Sequence, residues 1–282
     1  MTTKFALVTD TTADLPSEII EQYNLYMMPQ IVIWGRESLR EGIDINAPAF
    51  YERLTTAKEM PTTSRPAPGE MITLWQHARE ETGADDVVVL TVSKDVSGTV
   101  SGVEEAMKEV DFPVHLVDTR TVSLALGLTV VQIAQARDEG VTPKEAADLA
   151  RHLAGNSQAL FTPGTLEFLH RGGRIGGASH LFGTALSIKP ILTLEDGKVA
   201  PVENIRTRKR AIKRMIELAA ENIDHTKPLH IGVVHANAAQ EAGQIAQEIK
   251  TRFEPATLVE NWLGASIGVH AGPGVLGVMT VQ

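Results

Sequence analysis

The chain has 282 residues, 43% of them hydrophobic and 22% charged, which is enough for two domains and ordinary for a folded globular protein rather than a disordered one. A net charge of −9 opposes the field of a nucleic-acid backbone, so general nucleic-acid binding is set aside. With no cysteine there is no disulfide, thiolate metal site or cysteine nucleophile.

In chain order, Lys4 to Thr9 is a short apolar run that stops at Asp10, too short for a signal peptide. A helix opens at Asp14 to Pro16 and runs to Tyr23, and Tyr26 to Trp34 reads as one strand. Pro48 to Lys58 and Pro68 to Gly83 read as helices, the second with proline at its start and glycine at its end. Val87 to Val92 is a buried-strand run, Gly98 to Val110 a helix, Val114 to Val117 a strand and Ser123 to Glu139 a helix. Such alternation predicts a parallel sheet with crossover helices. The polar loops Asp10-Thr11-Thr12, Ser93 to Thr99 and Asp118-Thr119 then gather at the carboxyl ends of its strands, where ligands sit in such sheets.

A helix over Pro143 to Ala154 closes the first half, and the boundary falls near Gly155-Asn156-Ser157. The expected organisation is therefore an N-terminal α/β domain, 1–156, and a C-terminal α/β domain, 157–282. In the second half, Gln158 to Thr162 is a strand, Thr165 to His170 a helix stopped by Gly172-Gly173, and Ile175 to Ser187 a helix. Pro190 to Leu194 and Lys198 to Val202 form a hairpin about Asp196-Gly197. Arg206 to Asn222 and Asn237 to Phe253 are amphipathic helices; Leu229 to His235, Thr257 to Leu263 and Val275 to Val281 are strands. The uncharged stretches Thr121 to Ala136 and Asn261 to Gln282 are too short, too polar or too broken by glycine and proline to span a membrane. A soluble cytoplasmic protein is expected.

Most standard catalytic motifs are missing: there is no Gly-x-Ser-x-Gly elbow, Walker A loop or His-Glu-x-x-His. Gly272 to Gly277 matches a dinucleotide fingerprint only formally, because it precedes a strand and leaves no room for a βαβ unit. Thr62-Thr63-Ser64-Arg65-Pro66 reads either as a cap and turn before a helix or as neutral donors for an anionic oxygen. Ser97 caps the helix after Ser93 to Thr99, and a helix N-terminus is also a natural anion site; the two readings are compatible. His270 stands before a rigid Gly272-Pro273-Gly274 turn, as structural residue or ligand contact. Arg174 is flanked by four glycines, and Arg206 opens a basic run that is either a solvated helix face or a contact for an acidic partner.

Together these segments resemble the DegV family of bacterial fatty-acid-binding proteins over nearly the whole chain. The resemblance rests on Val8 to Pro16, Thr63-Ser64-Arg65-Pro66, Ser93 to Thr99, Val117-Asp118-Thr119, Leu169 to Ile175 and His270 to Gly274. It implies two α/β domains, the first with a mainly parallel and the second with a mixed sheet, and one long-chain fatty acid between them. It places the carboxylate at Thr63, Ser64, His270 and Ser97 or Ser93, with Gly98 beside them. It further implies a carrier without catalysis, cofactor or metal, serving phospholipid synthesis through a fatty acid kinase docked at Arg174 and Arg206. No nucleic acid is among the expected partners, whereas transient contact with a membrane surface is. The competing readings are a serine hydrolase using Ser97 and His270, and a module for another small anion. Arg65 departs from the family's glutamine and is expected beside the carboxylate.

Overall fold

The computed structural model describes residues 4–183, 188–221 and 223–282. Its first strand, β1 (Phe5–Asp10), is buried along its whole length and leads to α1 (Ser17–Gln22). The run expected to make one strand over Tyr26 to Trp34 divides into β2 (Tyr26–Met28) and β3 (Ile31–Trp34). Pro29 between them has no N–H to give a ladder, so the chain leaves one sheet there and enters another. β4 (Glu37–Arg40) pairs with β3, and α2 (Ala47–Thr56) is capped by the Asn46 side chain, which accepts from the Ala49 N–H.

The hydroxyl cluster turns out to be a strand rather than a turn. β5 (Thr62–Ser64) pairs antiparallel with β3, and Pro61 and Pro66 confine it to three residues. α3 (Pro68–Thr82) ends at Gly83, whose φ of 62° only glycine adopts cheaply. β6 (Asp86–Thr91), α4 (Thr99–Ala106), β7 (Val114–Asp118), α5 (Leu124–Asp138) and α6 (Pro143–Gly155) follow.

The remainder is β8 (Gln158–Thr162), α7 (Glu167–Arg171), β9 (Lys189–Glu195), β10 (Lys198–Ile205), α8 (Arg208–Glu221), β11 (His230–His235), α9 (Ala239–Phe253), β12 (Thr257–Trp262), α10 (Ala265–Ala271) and β13 (Leu276–Val281). The expected hairpin is present, with Asp196 and Gly197 both at positive φ in the manner of a type I′ turn. The helix expected over Ile175 to Ser187 is only a 3-10 turn over Gly176–Leu181, because the glycines on its approach favour left-handed turns over helix. Residues 184–187 of that reading, and Asn222 of the later one, lie outside the described residues. α10 falls between the last two expected strands, in a stretch to which the sequence pattern assigned no helix.

Strands β2-β1-β6-β7 form a parallel sheet, β4-β3-β5 a small antiparallel one, and β10-β9-β8-β13-β11-β12 a mixed sheet in which only β11 and β12 run parallel. The fold is therefore α/β, as the alternation of elements predicts. α5 lies between the parallel and mixed sheets, touching β1 and β6 on one side and β11 and β13 on the other. Burial on both sides explains why α5 is apolar all round instead of along one stripe. Its approach depends on Gly232 of β11, where a Cβ would stand 2.5 Å from that of Leu124. Among the described residues no helix is long and apolar enough to cross a membrane, and no cluster of His, Asp and Glu is arranged to hold a metal ion.

Candidate functional site

The loops at the carboxyl ends of β1, β6 and β7 do gather. The Val92 N–H donates to Asp10, Ser93 N–H to the Thr121 carbonyl, and Lys94 N–H to Asp118. Beside them, between the parallel and mixed sheets, lies a cavity with about 850 Å³ of empty space including its solvent-open part. Its walls are mostly aliphatic and come from both halves of the chain: Val92 and Val96, Leu194 and Val199 of the hairpin, Val234 and Met279 of the mixed sheet. Sequence periodicity did not identify these wall residues, because they share the core's apolar pattern.

One end of the cavity is polar. The Thr63 hydroxyl lies 2.7 Å from His270 Nε2, joining β5 to the last turn of α10 across 207 residues of sequence. Arg174 turns inward: Nε donates to the Val96 carbonyl at 2.9 Å and Nη1 to that of Gly172 at 2.7 Å, and the side chain lines the cavity. Ser97, next to Val96, completes the group. Burial pushes the His270 imidazole down to about 4; the Arg174 charge adds to this, while the Gly172 carbonyl works against it. The ring is therefore neutral at pH 7. The direction of the Thr63–His270 bond follows the tautomer: with the proton on Nε2 the ring donates to Thr63 and leaves the Thr63 O–H free for the cavity, whereas with the proton on Nδ1, towards Gly172, Thr63 donates to Nε2.

α10 explains how His270 comes to face Thr63. Its N-terminal turn is held by two buried acids: Gly264 N–H donates to Asp14 at 2.9 Å, and Ser266 donates to Glu41 through its N–H at 3.0 Å and its hydroxyl at 2.6 Å. Carboxylates at a helix N-terminus meet free N–H groups and the positive end of the dipole. Burial raises the pKa of Asp14, Glu41 and Asp10, against the hydrogen bonds that hold them ionised. At the other end of α10, Gly272 adopts φ 77° with its Cα against the Phe168 ring, and Arg208 braces the same turn by donating to the Gly274 carbonyl while pairing with Glu241.

Thr63, Ser97 and His270 thus line one cavity, with Thr63 against His270. Other residues singled out in the sequence lie elsewhere. The Ser64 side chain is exposed and donates to the Arg65 carbonyl. Ser93 is fully buried, but its hydroxyl donates to the Gly197 carbonyl at the hairpin tip, which makes it a clasp between the halves and not a cavity residue. Gly98 caps α4 without lining the cavity. Arg65 does not stand beside the polar end: its guanidinium runs along α4 past Gly102 and pairs with Glu105 at 2.8 Å. Arg174 faces inward instead of presenting a docking surface, whereas Arg206 is exposed.

Thr12 belongs to the first of the loops expected at the ligand edge, but three polar lining residues escaped the sequence reading: Gln30, Ser123 and Ser266. Gln30 carried a legible signal, as the one amide in the otherwise apolar run Tyr26 to Trp34. The serines carried none.

Residues 4–282 match the model of a family described as "Uncharacterised protein, DegV family". A DegV domain-containing protein of Streptomyces coelicolor is 38% identical over 280 residues, covering 99% of each chain. The Bacillus subtilis protein DegV is 35% identical over 277 residues, covering 97% of each. Among solved structures, a DegV family protein of Thermus thermophilus described for its fatty acid binding superposes with a TM-score of 0.93 at 30% identity, over 99% of each chain. Bacillus subtilis DegV, described as a fatty acid binding protein, superposes with a TM-score of 0.91 at 33% identity, over 99% of each chain.

Proposed function

The chain belongs to the DegV family, and we propose that it binds one long-chain fatty acid in the cavity between its sheets, with the carboxylate at Thr63, Ser97 and His270. The carrying observation is an aliphatic cavity that ends in the Thr63–His270 pair, with Arg174 beside it. Burial contributes about 0.8 kcal/mol per methylene, so a sixteen-carbon chain gains on the order of 10 kcal/mol. Burying the carboxylate costs several kcal/mol unless its oxygens are hydrogen-bonded. Hydroxyl donors and the Arg174 charge offset that cost, and the fatty acid binding described for the Thermus and Bacillus proteins supports the same reading.

We further propose a carrier role without catalysis, in which the protein presents the carboxylate to a fatty acid kinase for acyl-phosphate formation and phospholipid synthesis. A serine hydrolase is the weaker reading. Ser97 is bonded to Thr99 and not to His270, and Nδ1 of His270 has no carboxylate partner to orient it. Exposed Arg206, just before α8, with Lys209 and Arg210 in the first turn of that helix, is the proposed docking face for the kinase. The proposed division into domains 1–156 and 157–282 puts the ligand at the junction between them.

The test is to denature the purified protein, extract it with organic solvent and analyse the extract by mass spectrometry. Near-stoichiometric fatty acid is expected. An empty extract, repeated after incubation with mixed fatty acids, would sink the proposal. Arg206→Ala is expected to keep its lipid and slow acyl-phosphate formation with added fatty acid kinase; unchanged kinetics would reject the docking role.

A further inference from the structure

The hydroxyls around the polar end are not equivalent, and counting their hydrogens shows which can serve a ligand. Each hydroxyl has one hydrogen to give and two lone pairs to receive. Thr12 gives its hydrogen to Asp10 at 2.5 Å, Ser123 to Asp14 at 2.5 Å and Ser266 to Glu41 at 2.6 Å. Those three line the cavity but have nothing left to donate. Apart from Thr63, that leaves Ser97, whose behaviour depends on Thr99 and Gln30.

Gln30 is 3% exposed, and its amide nitrogen donates to Thr99 Oγ1 at 2.8 Å. The amide cannot be turned over without cost. Its nitrogen side also bears on the Asp10 carboxylate, which already accepts from the Thr12 N–H, the Thr12 hydroxyl and the Val92 N–H and so serves as an acceptor. Thr99 is fully buried, and among the described residues the other hydroxyl that its side chain meets is Ser97 Oγ at 2.9 Å. Leaving the Thr99 O–H without an acceptor in that setting is unfavourable, so it donates to Ser97. Ser97 Oγ then accepts twice, from the Thr99 hydroxyl and from the Thr99 N–H at 3.3 Å. Both its lone pairs are occupied and its own hydrogen is free at the cavity wall.

We infer that Gln30 and Thr99 are positioning residues that polarise Ser97 into an obligate donor and so select a head group that only accepts, an ionised carboxylate, over a neutral one of the same chain length. This rests on the fatty-acid reading above and adds to it the origin of head-group selectivity. Neither residue touches the ligand in this scheme; they act through the direction of the chain Gln30 to Thr99 to Ser97.

The experiment measures palmitate and hexadecanol binding to lipid-stripped protein by equilibrium dialysis and reads the ratio of the two affinities. An alcohol both donates and accepts, so it is indifferent to the direction of the chain, whereas a carboxylate is not. Thr99→Val leaves Ser97 its hydrogen but removes the bond that keeps it aimed at the cavity, and is expected to lower the ratio several-fold. Gln30→Met removes only the bias at the head of the chain and is expected to lower it several-fold, and Thr99→Ser is expected to restore it. A merely structural role would lower both affinities together and leave the ratio intact; that result, or an unchanged ratio in both Gln30→Met and Thr99→Val, overturns the inference. Wild-type protein that retains neither ligand would instead refute the fatty-acid reading itself, and this inference with it.

Discussion

His270 offers the sharpest quantitative prediction. Its pKa is held at about 4, against an ordinary value of 6.5, mainly by burial and by the Arg174 charge. Between those two values the unfolded chain binds a proton that the folded protein refuses, so stability falls as pH drops through this window. Lowering the pH from 7 to about 5 therefore costs about 2 kcal/mol from this one group. The buried acids Asp10, Asp14 and Glu41 act with the opposite sign, because their raised pKa values favour proton uptake by the folded state. Comparison with His270→Gln cancels them: glutamine keeps a side chain able to hydrogen-bond Thr63 but does not titrate. The assay is urea unfolding of lipid-stripped wild type and variant at pH 7, 6 and 5. Wild type is expected to lose about 2 kcal/mol more than the variant over this range. Parallel curves would refute the claim that His270 is buried neutral, and with it the tautomer argument for Thr63.

Three further outcomes are expected. Thr63→Val and Ser97→Ala each lower fatty-acid retention about tenfold or more without unfolding the protein; full occupancy of both after purification, measured by extraction and mass spectrometry, would show the carboxylate to be elsewhere. Gly272→Ala costs more than about 2 kcal/mol, because φ 77° is strained for alanine and its Cβ meets the Phe168 ring, and an unchanged urea midpoint would contradict that packing. Val234→Phe narrows the aliphatic wall and shifts the extracted lipid towards shorter chains; an unaltered chain-length profile would place Val234 outside the ligand path.

Much of this was legible in the sequence. Alternating strand and helix signals dictated the α/β class, and buried runs such as Val87 to Val92 marked parallel strands because both of their faces are covered. The order of elements was enough to bring the Asp10, Ser93 and Asp118 loops to one edge. His270 stood out by its rigid Gly-Pro-Gly flank. Local pattern failed where distant groups decide. α10 has no cap of its own in sequence and owes its N-terminus to Asp14 and Glu41, more than 220 residues earlier. Arg65 was expected beside the carboxylate and Arg174 on a docking face, yet Arg65 lies along α4 against Glu105 and Arg174 faces the cavity. Ser93 and Ser97 are the same residue type four positions apart. A serine's type fixes that it has one hydrogen to give, but which acceptor takes it depends on what the fold sets within 3 Å. For Ser93 that is the Gly197 carbonyl, 104 residues away, and only for Ser97 does the tertiary structure leave the hydrogen free.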